Sequence, residues 1–277
     1  MRYEKIKMQV EGSQESTYFA LYVLDDSPEF RNKEKRPLML VIPGGGYRMT
    51  SDREAEPIAM TYLSKGFHAA VLRYSVAPSH YPTQLREIAG TILWLRQHAD
   101  EYGIDADKIT VIGFSAGGHL AASLAEYWDS EIITGYFGQD AQLFRPDGLI
   151  LGYPVITSGT YAHQDSFAAL LADDYGNEGL MDTVSLEKHV SDRMPPVFLW
   201  HTASDDCVPV ENSLLFSRAL SENKIPFEMH IFPSGCHGLS LANDITISAD
   251  GSMAEPYCTI WPELSFRWLD NLYKING

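Results

Sequence analysis

The run Gly113-Phe114-Ser115-Ala116-Gly117 constrains this chain more than any other segment. It follows Lys108-Ile109-Thr110-Val111-Ile112, which is short, β-branched and apolar, as a buried strand should be. It precedes Gly118–Ala125, where small and apolar residues recur at helical spacing. A chain passing from strand to helix in so few residues must turn sharply. Glycines two positions either side of Ser115 let the backbone do this without a clash. A serine at the apex of such a turn exposes its Oγ, which is the geometry a nucleophile needs.

The rest of the chain repeats the strand-then-helix rhythm. Residues 3–10 and 17–24 alternate in polarity around a polar turn at 11–15 and predict an antiparallel hairpin at one edge of a sheet. The continuous apolar run at 37–42 and the strand-like segments at 67–74, 147–153, 196–201 and 227–232 predict further strands, and helices are expected at 53–65, 82–102, 210–223 and 263–273. Fully apolar strands alternating with helices imply a mostly parallel sheet of about eight strands covered on both faces. The stretch from 156 to 195 breaks the rhythm and reads as an insertion over the edge of the sheet where the strands end. No linker, repeat or low-complexity tract interrupts residues 1–277, so a single α/β domain carrying that insertion is expected.

Charge and cysteine usage limit the partners. A formal charge of −16 argues against nucleic acid and against an anionic membrane surface, because both need a basic face. The N-terminal residues lack the apolar core of a signal peptide, and no apolar run approaches membrane-spanning length, so a cytoplasmic location is expected. Cys207, Cys236 and Cys258 are an odd count without zinc spacing, which suits a reducing compartment. Two of them, Cys207 and Cys236, adjoin residues assigned below. They are either unpaired small core residues or neighbours at the site.

Serine attacks only when a base takes its proton and a third group orients the base. Asp205 lies just past the strand ending at Trp200-His201, and His237 lies in Pro233-Ser234-Gly235-Cys236-His237-Gly238, just past the last strand. Both therefore reach the sheet edge that carries Ser115, in the order Ser, Asp, His expected of an α/β-hydrolase. Of the nine histidines, His237 alone follows a strand directly in a glycine-flanked loop. His119 belongs on the elbow helix as a packing or supporting residue, His201 is structural, and Asp206 is the rival acid. Donors for a developing oxyanion come from the backbone N–H of Ala116 and from the loop Pro43-Gly44-Gly45-Gly46-Tyr47, with Gly45 and Gly46 preferred. A glycine loop could instead cradle a phosphate, but no Lys-Ser/Thr follows and no G-x-G-x-x-G is present. No cluster has metal-ligand spacing, so neither a metal nor another cofactor is expected.

These motifs, together with Arg73-Tyr74-Ser75 and the span His201–Val210, make the chain resemble the α/β-hydrolase superfamily, and within it the acetyl esterase branch that includes acetylxylan esterases. The resemblance departs at Pro43, where relatives carry the histidine of an H-G-G-G loop, and at Thr202, where many carry glycine. It implies a serine carboxylesterase for short acyl esters, acetylated sugars as substrates, Tyr47 as a substrate-binding residue and room for a homo-oligomer. A lipase, peptidase or amide hydrolase on the same triad remains open, as does a silent binding scaffold. The acidic residues Asp165, Asp173, Asp174, Glu178 and Asp182 in the insertion disfavour a lipase lid.

Overall fold

Alternating side chains of the apolar strands are divided between two cores. Leu38, Leu40 and Ile42 enter one buried cluster, and Met39 and Val41 the other. Ala70 and Leu72 oppose Ala69 and Val71 in the same way. This period of two, apolar on both sides, marks strands covered by helices on each face. The computed structural model describes residues 1–27, 29 and 35–274 and carries the sheet that this pattern demands.

Its strands are β1 (Arg2–Lys7), β2 (Tyr18–Val23), β3 (Arg36–Ile42), β4 (His68–Arg73), β5 (Ile104–Phe114), β6 (Gly148–Gly152), β7 (Val197–Thr202) and β8 (Phe227–Phe232). They lie in the order β1-β2-β4-β3-β5-β6-β7-β8. The pair β1–β2 is antiparallel, β2 is antiparallel to β4, and every later pairing is parallel. The helices are α1 (Glu56–Leu63), α2 (Thr83–Gln97), α3 (Ala99–Tyr102), α4 (Ser115–Tyr127), α5 (Glu131–Phe137), α6 (Gln164–Leu171), α7 (Glu178–Thr183), α8 (Glu211–Glu222) and α9 (Trp261–Tyr273). Ile88 and Ile92 of α2, Leu120 and Leu124 of α4 and Phe216 of α8 enter one core. Ile58 and Tyr62 of α1 and Trp261 and Leu269 of α9 enter the other. This is the α/β-hydrolase fold, with the hairpin at the edge where the alternation placed it.

Three elements differ from the sequence reading. The helix expected at 53–65 starts only at Glu56, because Arg53 and Glu54 turn inward to form hydrogen bonds of their own and Pro57 occupies the first turn. The helix expected over 82–102 breaks at His98, whose ring stacks on Trp94 at 4.0 Å and hydrogen-bonds its carbonyl. Finally, β5 runs well beyond 108–112, through a register shift against β3 between Arg36 and Leu38.

The strand order reverses beside β3. The chain leaves β3 for β4 on one side, then returns to β5 on the other. Loops after β3 and β5 diverge at such a point and open a crevice at the carboxyl ends of the strands. The glycine loop and Ser115 are the residues that emerge there.

Candidate active site

Ser115 occupies the first position of α4 with φ of 52°, a left-handed conformation that costs a non-glycine residue energy. The turn is tight enough to demand its glycines. A Cβ on Gly113 would lie 2.3 Å from the Gly117 carbonyl oxygen, and one on Gly117 would lie 2.3 Å from the carbonyl oxygens of Ile42 and Pro43.

Strands β7 and β8 deliver the other two residues. His237 Nε2 lies 2.8 Å from Ser115 Oγ, and its Nδ1 lies 2.8 Å from Asp205 Oδ2. A carboxylate only accepts, so His237 Nδ1–H donates to it and Nε2 is left to accept from the Ser115 hydroxyl. Asp205 is itself gripped from both sides. Its Oδ1 accepts from the backbone N–H groups of Cys207 (3.0 Å) and Val208 (2.9 Å), and its Oδ2 also faces His201 Nε2 at 3.2 Å. Burial would raise the Asp205 pKa, but hydrogen bonds from His201 and His237 outweigh it and hold the carboxyl below its ordinary range. Asp206 stands apart from the imidazole, and its carboxylate accepts from the backbone N–H of His237 at 3.3 Å.

The glycine loop lies opposite. Gly44 N–H is committed to Glu54 Oε2 at 2.8 Å, which removes it as a donor to a ligand. Gly45 and Gly46 adopt φ of 129° and 62°, and neither N–H donates to a protein acceptor among the described residues. Ala116 stands in the first turn of α4, where N–H groups have no intrahelical partner. The structure thus brings together Ser115, Asp205, His237, Gly45, Gly46 and Ala116. Tyr47, expected as a substrate-binding residue, is the exception. Its φ of 57° turns the ring under the loop, where it is 1% exposed and its hydroxyl donates to His119 Nδ1 at 2.8 Å. It does not line the cavity.

Several neighbours were not foreseen. Glu54, 3% exposed, accepts from Tyr153 Oη at 2.6 Å as well as from Gly44, and Tyr153 Oη in turn accepts from Ser240 N at 2.8 Å. This chain of bonds ties the glycine loop to the segment after His237. Arg53 adds to it, donating to the carbonyls of Gly238 (2.8 Å) and Thr246 (2.6 Å). The usable signal was positional for Tyr153, which directly follows β6. Glu54 and Arg53 read as charges on a helix surface. His201, expected to be structural, also donates to Asp205 while its Nδ1 accepts from Ser213 Oγ at 2.8 Å.

The cavity above Ser115 measures about 370 Å³ and is lined by Gly45, Gly46, Arg48, Met49, His163 and Asp165, among others. Cys207 opens onto it and is exposed, so it is not a core residue. Cys236 is half-buried and Cys258 buried, and burial pushes both thiols up from their ordinary value. Among the described residues no His/Cys/Asp/Glu group could hold a metal ion, and no helix is long and apolar enough to cross a membrane.

The sequence matches the BD-FAE family over residues 27–220. The chain belongs to the BD-FAE family. This BD-FAE chain is 45% identical over 216 residues to endo-1,4-beta-xylanase B of Butyrivibrio fibrisolvens, an alignment covering 76% of this chain and 33% of that protein. The match spans between about a quarter and just over half of the length of these and other curated relatives. Among solved structures, the acetyl ester-xyloside bifunctional hydrolase of Caldicellulosiruptor lactoaceticus superposes with a TM-score of 0.80 at 37% identity, over 92% of this chain and 88% of that one. The carboxylesterase Cest-2923 of Lactobacillus plantarum WCFS1 superposes with a TM-score of 0.86 at 29% identity, over the whole of both chains.

Proposed function

We propose that this protein is a serine carboxylesterase that hydrolyses short acyl esters, with acetylated carbohydrates as the substrate class. The unbroken hydrogen-bond chain from Ser115 Oγ through His237 to Asp205, 2.8 Å at each link, carries this reading. Ser115 Oγ attacks the ester carbonyl as His237 Nε2 takes its proton. Asp205 holds the ring in the tautomer that can accept and balances the imidazolium charge. The amides of Gly45, Gly46 and Ala116 stabilise the oxyanion, and Glu54 fixes the loop that presents the first two. His237 then protonates the departing alcohol and activates the water that releases the acid from the acyl-enzyme.

The lining supports a short acyl chain. Arg48, Ser51, Arg53, His163 and Asp165 bring charged and polar groups to a cavity of about 370 Å³, beside Met49 and Cys207. Each methylene that finds an apolar wall gains about 0.8 kcal/mol, but a long acyl chain would have to share these roughly 370 Å³ with the alcohol. The xyloside and xylanase names of the relatives support a sugar as the alcohol. The segment 156–195 serves as part of the substrate wall, through His163 and Asp165.

The test is a panel of aryl esters from acetyl to octanoyl, run beside acetylated xylo-oligosaccharides. The expected result is kcat/KM highest for acetyl and propionyl esters and falling steeply for longer chains. Octanoyl esters as the best substrates would replace this reading with a lipase.

A further inference from the structure

His163 stands directly before α6 and lines the cavity with Ser115 and His237. Its Nδ1 lies 2.8 Å from Ser166 Oγ, and Ser166 is 1% exposed. Either atom could donate, but only one arrangement satisfies both residues. If the ring donated from Nδ1, the Ser166 hydroxyl proton would face no other acceptor among the described residues, at a cost of the order of a lost buried hydrogen bond. The hydroxyl therefore donates to Nδ1, and the ring proton sits on Nε2. That nitrogen has no protein partner among the described residues. Burial, and the nearby His237, hold the His163 pKa below its ordinary value against the opposing pull of Asp165 and Asp205, so the ring stays neutral.

The donor is also held rigidly. Phe167, Leu170 and Leu171 of α6 are buried, and Leu170 O accepts from Tyr81 N at 2.8 Å. Tyr161 O, just upstream, accepts from the buried Asn212 at 2.9 Å. A donor fixed in this way loses little entropy on meeting a ligand. Asp165, two residues on, lines the same cavity with a carboxylate that makes no hydrogen bond or ion pair to the protein among the described residues. A neutral donor beside an unpaired acceptor matches a hydroxyl, which needs one of each. His163 lies close enough to His237 for the charge of one ring to act on the other, and the leaving alcohol must sit beside His237 to receive its proton.

We propose that His163, through Nε2–H held in that tautomer by Ser166, recognises a hydroxyl on the alcohol moiety of the ester. The inference rests on the esterase reading above. Its experiment compares a mono-acetylated methyl glycoside with 4-nitrophenyl acetate, whose alcohol carries no further hydroxyl. In His163→Leu the ratio of kcat/KM, glycoside over aryl ester, should fall about tenfold, carried by KM. His163→Gln, which keeps an N–H donor, should recover most of the loss. Ring-nitrogen NMR of the wild-type protein should find the His163 proton on Nε2.

A ratio within about twofold of wild type in His163→Leu, or a proton found on Nδ1, overturns the inference. So does a wild-type protein that hydrolyses the aryl ester and ignores the glycoside, which leaves the serine carboxylesterase reading standing without its carbohydrate substrate. A protein that hydrolyses neither ester, with Ser115 unreactive toward a fluorophosphonate, removes both.

Discussion

Asp205→Asn keeps the shape of a side chain and reverses what half of it can do. The carboxylate takes donors on both sides, from Cys207 N and Val208 N at Oδ1 and from His237 Nδ1 and His201 Nε2 at Oδ2. Asparagine has one accepting oxygen and one donating NH2, so one of these pairs must face another donor. With the NH2 toward the rings, His237 is driven to carry its proton on Nε2 and can no longer accept from Ser115. With the NH2 toward the loop, two buried backbone N–H groups lose their acceptor. A charge-assisted hydrogen bond is worth about 1.5–3 kcal/mol, so the fold should survive with a Tm lower by several degrees. Turnover should suffer far more, about ten-thousandfold, which is what the same change costs a trypsin-type triad. Steady-state hydrolysis of 4-nitrophenyl acetate, with thermal unfolding by circular dichroism, separates the two effects. Asp206→Asn is the control, because the Asp206 carboxylate touches the His237 backbone rather than its ring. If Asp205→Asn stays within about tenfold of wild type, or if Asp206→Asn does equal damage, the role given to Asp205 is refuted.

Glu54→Gln should lower kcat about tenfold to a hundredfold with little change in KM, because its NH2 opposes either Gly44 N–H or the Tyr153 hydroxyl and loosens the glycine loop proposed to hold the oxyanion; an unchanged kcat would contradict this. Tyr47→Phe should leave KM unaltered and cost about 1 kcal/mol of stability through the lost bond to His119, whereas a large rise in KM would return Tyr47 to the substrate site. Burial pushes the His119 ring down to about 4 from 6.5, against the opposing bond to Val184 O. The unfolded chain then takes up a proton that the folded one refuses, so His119 weakens the fold as pH falls from about 6.5 to about 4, by roughly 3 kcal/mol. Urea unfolding across that range should show the decline, and His119→Gln should flatten it; identical slopes would sink the assignment.

The sheet was legible because its central strands are apolar on both faces, a pattern that survives without knowledge of what they contact. The placement of Ser115, Asp205 and His237 was legible for a related reason. Each follows a strand, and in a parallel sheet the ends of the strands share one edge. Side-chain direction was not legible. Tyr47 ends the glycine loop as a substrate contact would, but its left-handed backbone sends the ring beneath the loop to His119. Glu54 was hidden because its partners, Tyr153 and Gly44, are fixed by the tertiary fold, and within Asp52-Arg53-Glu54-Ala55-Glu56 it reads as one more solvated charge. The break at His98 carries no proline or glycine; there the ring stacks on Trp94 and hydrogen-bonds the Trp94 carbonyl. The short α5 offers too few residues for its period to be counted. The hydrogen bond between His163 and Ser166 lies within one turn, yet nothing in the sequence says that this turn lines the cavity with Ser115.

The central claim is that Ser115 is a nucleophile activated by His237. Mass spectrometry of the folded protein after treatment with a fluorophosphonate tests it most directly. The account predicts a single phosphonyl adduct on the peptide that carries Ser115, with loss of ester hydrolysis in step with labelling and no adduct in Ser115→Ala or at any useful rate in His237→Ala. An unmodified Ser115 in folded, ester-hydrolysing protein, or labelling that leaves turnover intact, would contradict it.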